Sequence, residues 1–347
     1  MSATASCRFP FLDEWKDLSD KNKICGFVDS ALSGYAQIAF NDNIFSGILM
    51  IIATWIGSPV QCISAVWATI IATVAAYASG VPVGLIRCGL YGFNATLAGL
   101  AVPLIFFPNQ GLSFSMLAVS TVAAVLCVLL TTFCRKIFEK WDVPALSAPY
   151  CCAMFLLAIA ALLINVNEPL RLSFDSIFFA TSLSDWSLTD YFAAILNGAA
   201  QILWVEKPVC GILYMIALLF ASRTDAVNAI TASIVSTTIA VAIGFPKDAV
   251  IIGLFGYNSI LLMQVFSRGF RLSVRSHLFN IAMAALTPIV CALFKLLLTP
   301  VGLGSFLAFP YVTLCILAFL LRNKLKGFLY VPGKYWGVPE TINKTSM

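Results

Sequence analysis

Residues 89–99 read GLYGFNATLAG, and residues 253–263 read GLFGYNSILLM. Each phrase sets an asparagine, Asn94 or Asn258, among glycines, aromatics and aliphatics. Gly89, Leu90, Gly92, Asn94 and Leu97 recur as Gly253, Leu254, Gly256, Asn258 and Leu261, always 164 positions later. The same spacing carries Gly80-x-Pro82 onto Gly244-x-Pro246 and Gly47-Ile48-Leu49 onto Gly211-Ile212-Leu213. It also carries Gln37-Ile38 onto Gln201-Ile202, and no gap is needed. Downstream, Ser147-Ala148-Pro149-Tyr150 resembles Ala308-Phe309-Pro310-Tyr311, with the spacing shortened to 161. One such phrase is weak evidence, but several in constant register mean an internal duplication.

The duplicated chain is apolar. Its 347 residues are 60% hydrophobic and 11% charged, with a mean hydropathy of +0.93. A soluble domain of this length exposes far more charge. Apolar stretches at 44–56, 60–79, 113–133 and 277–297 approach the ~20 residues that span a bilayer as a helix. Lipid admits only helices or closed barrels, because every backbone amide must be satisfied internally, and these runs are too long for barrel strands. The expected fold is an all-α polytopic membrane protein.

Arg8, Lys16, Lys21 and Lys23 precede the first apolar segment, and Arg322, Lys324, Lys326, Lys334 and Lys344 follow the last. Basic flanks favour the cytoplasmic side, so both termini are expected there and the number of crossings is even. Residues 1–24 mix acids and bases without a signal-peptide layout, and read as a cytoplasmic or interfacial helix. Membrane repeats are expected at 25–165 and 191–322, with a more polar connecting loop at 166–190 and a cytoplasmic tail at 323–347. Each repeat has about six apolar segments, one pair being split by Asn41-Asp42-Asn43 or by Glu206-Lys207-Pro208. If one segment per repeat enters and turns back as a tilted half-helix, five crossings remain. An odd number forces the repeats to be inverted, and inverted repeats with broken helices place a site at their interface near mid-membrane.

Several function classes lack support. The sixteen carboxylates fall in terminal regions, in loops or at segment ends such as Asp29, Asp42, Glu206 and Asp248. Lys295 lies inside an apolar run, near enough to its end to extend toward the interface. A proton-coupled carrier is expected to bury a titrating group, and a cation channel to carry acidic rings or a carbonyl filter. No phosphate loop, H-E-x-x-H or nucleophile elbow appears. The single histidine, His277, has no ligand partner nearby, and the eleven cysteines include no CxxC. The chain therefore reads as a non-enzyme that needs no cofactor, metal ion or nucleic acid.

Gln37 and Gln201 are costly in hydrocarbon unless partnered. They either glue neighbouring helices together or guard two related ends of one polar path. Phe93 with Leu97, and Tyr257 with Leu261, share helix faces at i, i+4 spacing, while Phe40 and Trp204 each follow a glutamine by three residues. These rings are either ordinary core or the walls of a slot. Asn94 and Asn258 either bind a ligand or satisfy backbone groups where a helix breaks. An uncharged path of amides and rings suits a small, flat, neutral and polar solute. A coupled carrier and a non-conducting scaffold are the competing classes.

GLYGFNATLAGLAV (89–102), GLFGYNSILL (253–262), EKWDVPALSAPY (139–150) and NGAAQI (197–202) resemble signatures of the urea transporter family in its animal-type form. The resemblance spans about residues 30–322. It implies two inverted five-helix repeats, each with a re-entrant tilted half-helix, around one central pore in each subunit of a homotrimer. It implies passive urea permeation across the plasma membrane. Gln37 and Gln201 then match the groups at the two urea-binding ends. Ile38, Phe40, Phe93, Leu97, Ile202, Trp204, Tyr257 and Leu261 match the slot walls, and Ser147 and Ala308 the two mid-pore threonines. Ser147 keeps a hydroxyl and Ala308 does not, while Tyr257 adds one to a wall that is usually phenylalanine. Trp204 is bulkier than the family pattern, and the family's Asn-Asn-Pro phrase is reduced to Asp42-Asn43-Ile44 and Glu206-Lys207-Pro208. A channel of the same fold tuned to ammonia, an amide or a urea analogue is the alternative these departures leave open.

Overall fold

The computed structural model describes residues 10–164, 181–299, 305–325, 327–333 and 339. The first nine residues, most of the expected connecting loop and most of the expected tail lie outside the described residues.

Helix α1 (Pro10–Lys21) packs on α2 (Lys23–Ala36), where Trp15 Nε1 donates to Asp29 Oδ1 at 2.7 Å. α2 tightens into a 3-10 turn over Gln37–Ala39 and stops at Phe40, whose φ is 55°. Asn43 caps the restart as α3 (Ile44–Gly57), and the two axes are bent by 75°. Ser58 and Pro59 open α4 (Pro59–Ala78), where a missing N–H costs nothing in the first turn. Four further helices follow: α5 (Val83–Arg87), α6 (Phe93–Phe106), α7 (Phe114–Phe138) and α8 (Ala148–Leu163).

The second half repeats this order. α9 (Leu188–Ala200) runs into a 3-10 turn over Gln201–Leu203 and a left-handed Trp204, with φ 59°. α10 (Pro208–Ala221) leaves at a bend of 70°. α11 (Arg223–Ile243), α12 (Lys247–Ile251), α13 (Tyr257–Gly269), α14 (Val274–Leu298) and α15 (Phe309–Leu320) match α4 to α8 in turn. The duplication read from the sequence is thus also one of helices and of breaks.

The long helices turn small and hydroxyl side chains inward and large apolar ones outward. α4 buries Ser64, Ala65, Ala68, Thr69, Ala72 and Thr73, while α7 exposes Val122, Leu129 and Phe133. Small residues let helices approach closely where lipid supplies no hydrophobic drive between them. α4, α7, α11 and α14 are each long and apolar enough to cross a membrane, as is either bent pair taken as one span. This is the build of a multi-pass membrane protein. α6 and α13 are buried along nearly their whole lengths and form the axis. Equivalent helices meet across the two halves: α3 packs on α10, and α8 touches α15.

One charge expectation needs correction. Lys295 is buried, 5% exposed, because it lies on the inward face of α14 with Ala292 and Leu298, while Leu296 and Leu297 beside it face outward. Asp225 and Arg268 do lie at segment ends, in the first turn of α11 and the last turn of α13, but both are buried there and pair with each other.

The opening glycine of each quoted phrase has a steric reason. Gly253 has φ +83°, and a Cβ there would stand 2.2 Å from the Asn197 carbonyl carbon. Gly89 has φ +77°, with the Ser33 carbonyl oxygen 2.3 Å from its would-be Cβ. Backbone of the broken helix occupies the space in both. Gly89→Ala and Gly253→Ala should each destabilise by about 2 kcal/mol or more, through overpacking and a left-handed backbone. Gly84→Ala, with nothing within 4 Å of its new methyl, should leave Tm unchanged. Thermal unfolding of the detergent-solubilised protein checks both.

Candidate functional site

The two breaks carry Gln37 and Gln201, and each ends on a left-handed residue that is not glycine. Such a backbone costs on the order of 1 kcal/mol and persists only where its surroundings hold it. Here the opposite half does so. The Trp204 carbonyl accepts Nε2 of Gln61, from α4, at 2.8 Å. The Phe40 carbonyl accepts Nη2 of Arg268, from α13, at 3.0 Å. Arg268 is held in turn by Asp225, at 2.6 and 2.9 Å, and its guanidinium carbon lies 5.7 Å from the centre of the Phe40 ring. Asp225 stands 164 positions after Gln61, and Arg268 the same distance after Leu104. One position therefore solves one problem twice, once by a neutral amide and once by anchoring a cation.

Asn94 and Asn258 serve backbone. Asn94 Oδ1 accepts the Tyr150 N–H at 3.3 Å, and its amide donates to the Leu146 carbonyl at 3.5 Å. Asn258 does the same for Tyr311 N–H at 3.2 Å and the Leu307 carbonyl at 3.1 Å. Leu146 and Leu307 are both left-handed, at φ 49° and 48°. Of the two sequence readings, the helix-break role is the one seen. The Tyr257 hydroxyl also donates to the Leu307 carbonyl, so it is bonded within the protein rather than free.

Between the halves lies a cavity of about 10 Å³, roughly the room that one water molecule needs. Leu97, Gln201, Ile202, Trp204, Tyr257, Leu261 and Ala308 line it, together with Tyr150 and Leu307. Seven of the twelve expected site residues therefore converge. Gln37, Ile38, Phe40, Phe93 and Ser147 do not line this cavity. The Tyr311 ring meets the Phe40 ring edge-on at 6.5 Å, and its hydroxyl donates to Ser147 Oγ. That contact ties three residues into a second cluster at the Gln37 end. Gln201 is buried, whereas Gln37 is half-buried. Asp42, the counterpart of Glu206, lies 3.9 Å from Lys16 of α1. Tyr150 belongs to the repeated Pro-Tyr phrase and Leu307 borders it, but neither was read as a site residue from the sequence.

Arg268→Leu should cost about 3 kcal/mol or more, because it leaves Asp225 charged and buried without its cation. Asp225→Gln combined with Arg268→Leu copies Gln61 and Leu104, and should recover most of that loss in a thermal unfolding assay. A double variant as unstable as the single one would mean that the two devices are not interchangeable.

The chain is similar to known transporters along nearly its whole length. The family described as Urea transporter matches residues 28–323. Urea transporter 1 of Ovis aries is 26% identical over 330 residues, 93% of this chain and 84% of that protein. Urea transporter 1 of Mus musculus is 26% identical over 274 residues, 78% of this chain and 71% of that protein. These relatives are transporters and not enzymes. On this match, and with the broken, duplicated helices that accompany it, the chain belongs to the urea transporter family.

Proposed function

We propose that the protein conducts urea passively and selectively through a narrow passage between its two halves, with Gln37 and Gln201 at the two ends. The observation that carries this reading is the cavity walled from both copies, with Leu97 of the first facing Gln201 and Leu261 of the second. Urea is planar, with N–H donors on two edges and a carbonyl on the third. Apolar walls over its faces strip water, and side-chain oxygens along its edges replace the lost bonds. Each bond left unmade costs ~1–3 kcal/mol, so a path without acceptors would be closed to urea. Binding must also stay weak enough for exit. The cavity is smaller than urea, so passage requires its walls to part.

The proposal includes the inverted arrangement of residues 25–165 and 191–322, which places the two breaks toward opposite faces of the membrane. A homotrimer in the plasma membrane follows from the family pattern, and cytoplasmic termini from the basic flanks. The lost hydroxyl at Ala308 and the small cavity favour one second reading, a channel of the same fold for ammonia or a small amide.

Purified protein in vesicles, followed by stopped-flow light scattering, tests these readings. Gln37→Ala and Gln201→Ala should each slow urea flux by about fivefold or more while the protein stays folded. Unchanged flux in both would remove the glutamines from the passage. Faster equilibration of ammonia or formamide than of urea would favour the second reading.

A further inference from the structure

The two ends of the passage exchange a tyrosine. At the Gln37 end, Tyr311 comes from the second half and donates its hydroxyl to Ser147 of the first. The counterpart tyrosine at the Gln201 end is Tyr150, from the first half, and the counterpart of Ser147 is Ala308. Alanine offers no oxygen. The Tyr150 ring is 1% exposed, and its hydroxyl has no hydrogen-bond partner among the described residues. Trp204 is its polar neighbour but does not close a bond. Tyr150 and Ala308 both line the cavity that contains Gln201.

A buried phenol left unsatisfied is costly, and such a group calls for an explanation. Resting on the permeation reading, we propose that Tyr150 is a specificity-determining residue of the passage. Its free hydroxyl supplies the solute with the hydrogen bond that Ala308 cannot. A phenol both donates and accepts, so it can meet the carbonyl or an N–H of a passing urea or amide. The loss at Ala308 is thereby offset from the opposite half, by a tyrosine whose twin is occupied.

The full-length protein in vesicles tests this with four forms: unaltered, Tyr150→Phe, Tyr150→Phe with Ala308→Ser, and Tyr311→Phe. Tyr150→Phe should lower urea flux about five- to tenfold with Tm unchanged or raised, because it removes an unsatisfied group. Tyr311→Phe should lower Tm, because it breaks a formed bond. Adding Ala308→Ser to Tyr150→Phe should restore most of the urea flux by returning a hydroxyl to the cavity. Undiminished flux in Tyr150→Phe, a fall in its Tm matching that of Tyr311→Phe, or no rescue by Ala308→Ser would each overturn the assignment. Absence of urea flux in the unaltered protein would instead overturn the permeation reading, and this inference with it.

Discussion

Each broken helix of this protein ends on a carbonyl that the other half holds. Gln61 donates to Trp204 and Arg268 to Phe40, so neither break is secured by its own copy alone. This exchange fixes what would otherwise be two strained, left-handed turns in an apolar setting, where an unmet carbonyl is costly. It brings the glutamine-bearing turns to the seam between the halves. The asparagines act within their own copies, each bracing a left-handed leucine and the first turn of α8 or α15. The rings and aliphatic side chains that wall the cavity hang on this frame.

Much of this was legible because duplication doubles the signal. A lone Gln37 in an apolar run has two readings, but a second glutamine at constant register, each three residues before a ring, marks a shared structural feature. The breaks, the helix order and the backbone role of the asparagines were all open to that argument. The Arg268–Asp225 pair was not, because the repeat fails at those positions: Gln61 and Leu104 are neutral. Comparison in register passes over a site where one copy has invented a different solution. The pair also joins two helices 43 residues apart, a contact that no periodicity encodes. Tyr150 escaped for a related reason. The hydroxyl missing at Ala308 was legible, but only the fold brings Ala308 and Tyr150 to one cavity.

The copies have kept their backbone and diverged in side chains. Phe40 and Trp204 share a left-handed turn, as do Leu146 and Leu307, within a few degrees. Around that common frame, one end has Phe40, Tyr311, Ser147 and an ion pair, and the other Trp204, Tyr150, Ala308 and a single amide. Such an arrangement separates the shared frame from the side chains that, on the proposed function, would set the solute. The proposed passage is thus chemically unequal at its two ends, although passive flow requires no such difference.

The central claim is that the two halves lie inverted and open a passage from one face of the membrane to the other. Sidedness of chemical access tests it most directly. Asp42→Cys and Glu206→Cys, each placed singly where the reactive native cysteines have been removed, would be exposed to a membrane-impermeant thiol reagent in sealed vesicles of known orientation. The inverted arrangement predicts that one is labelled only from outside and the other only from inside. Labelling of both from the same side would contradict it.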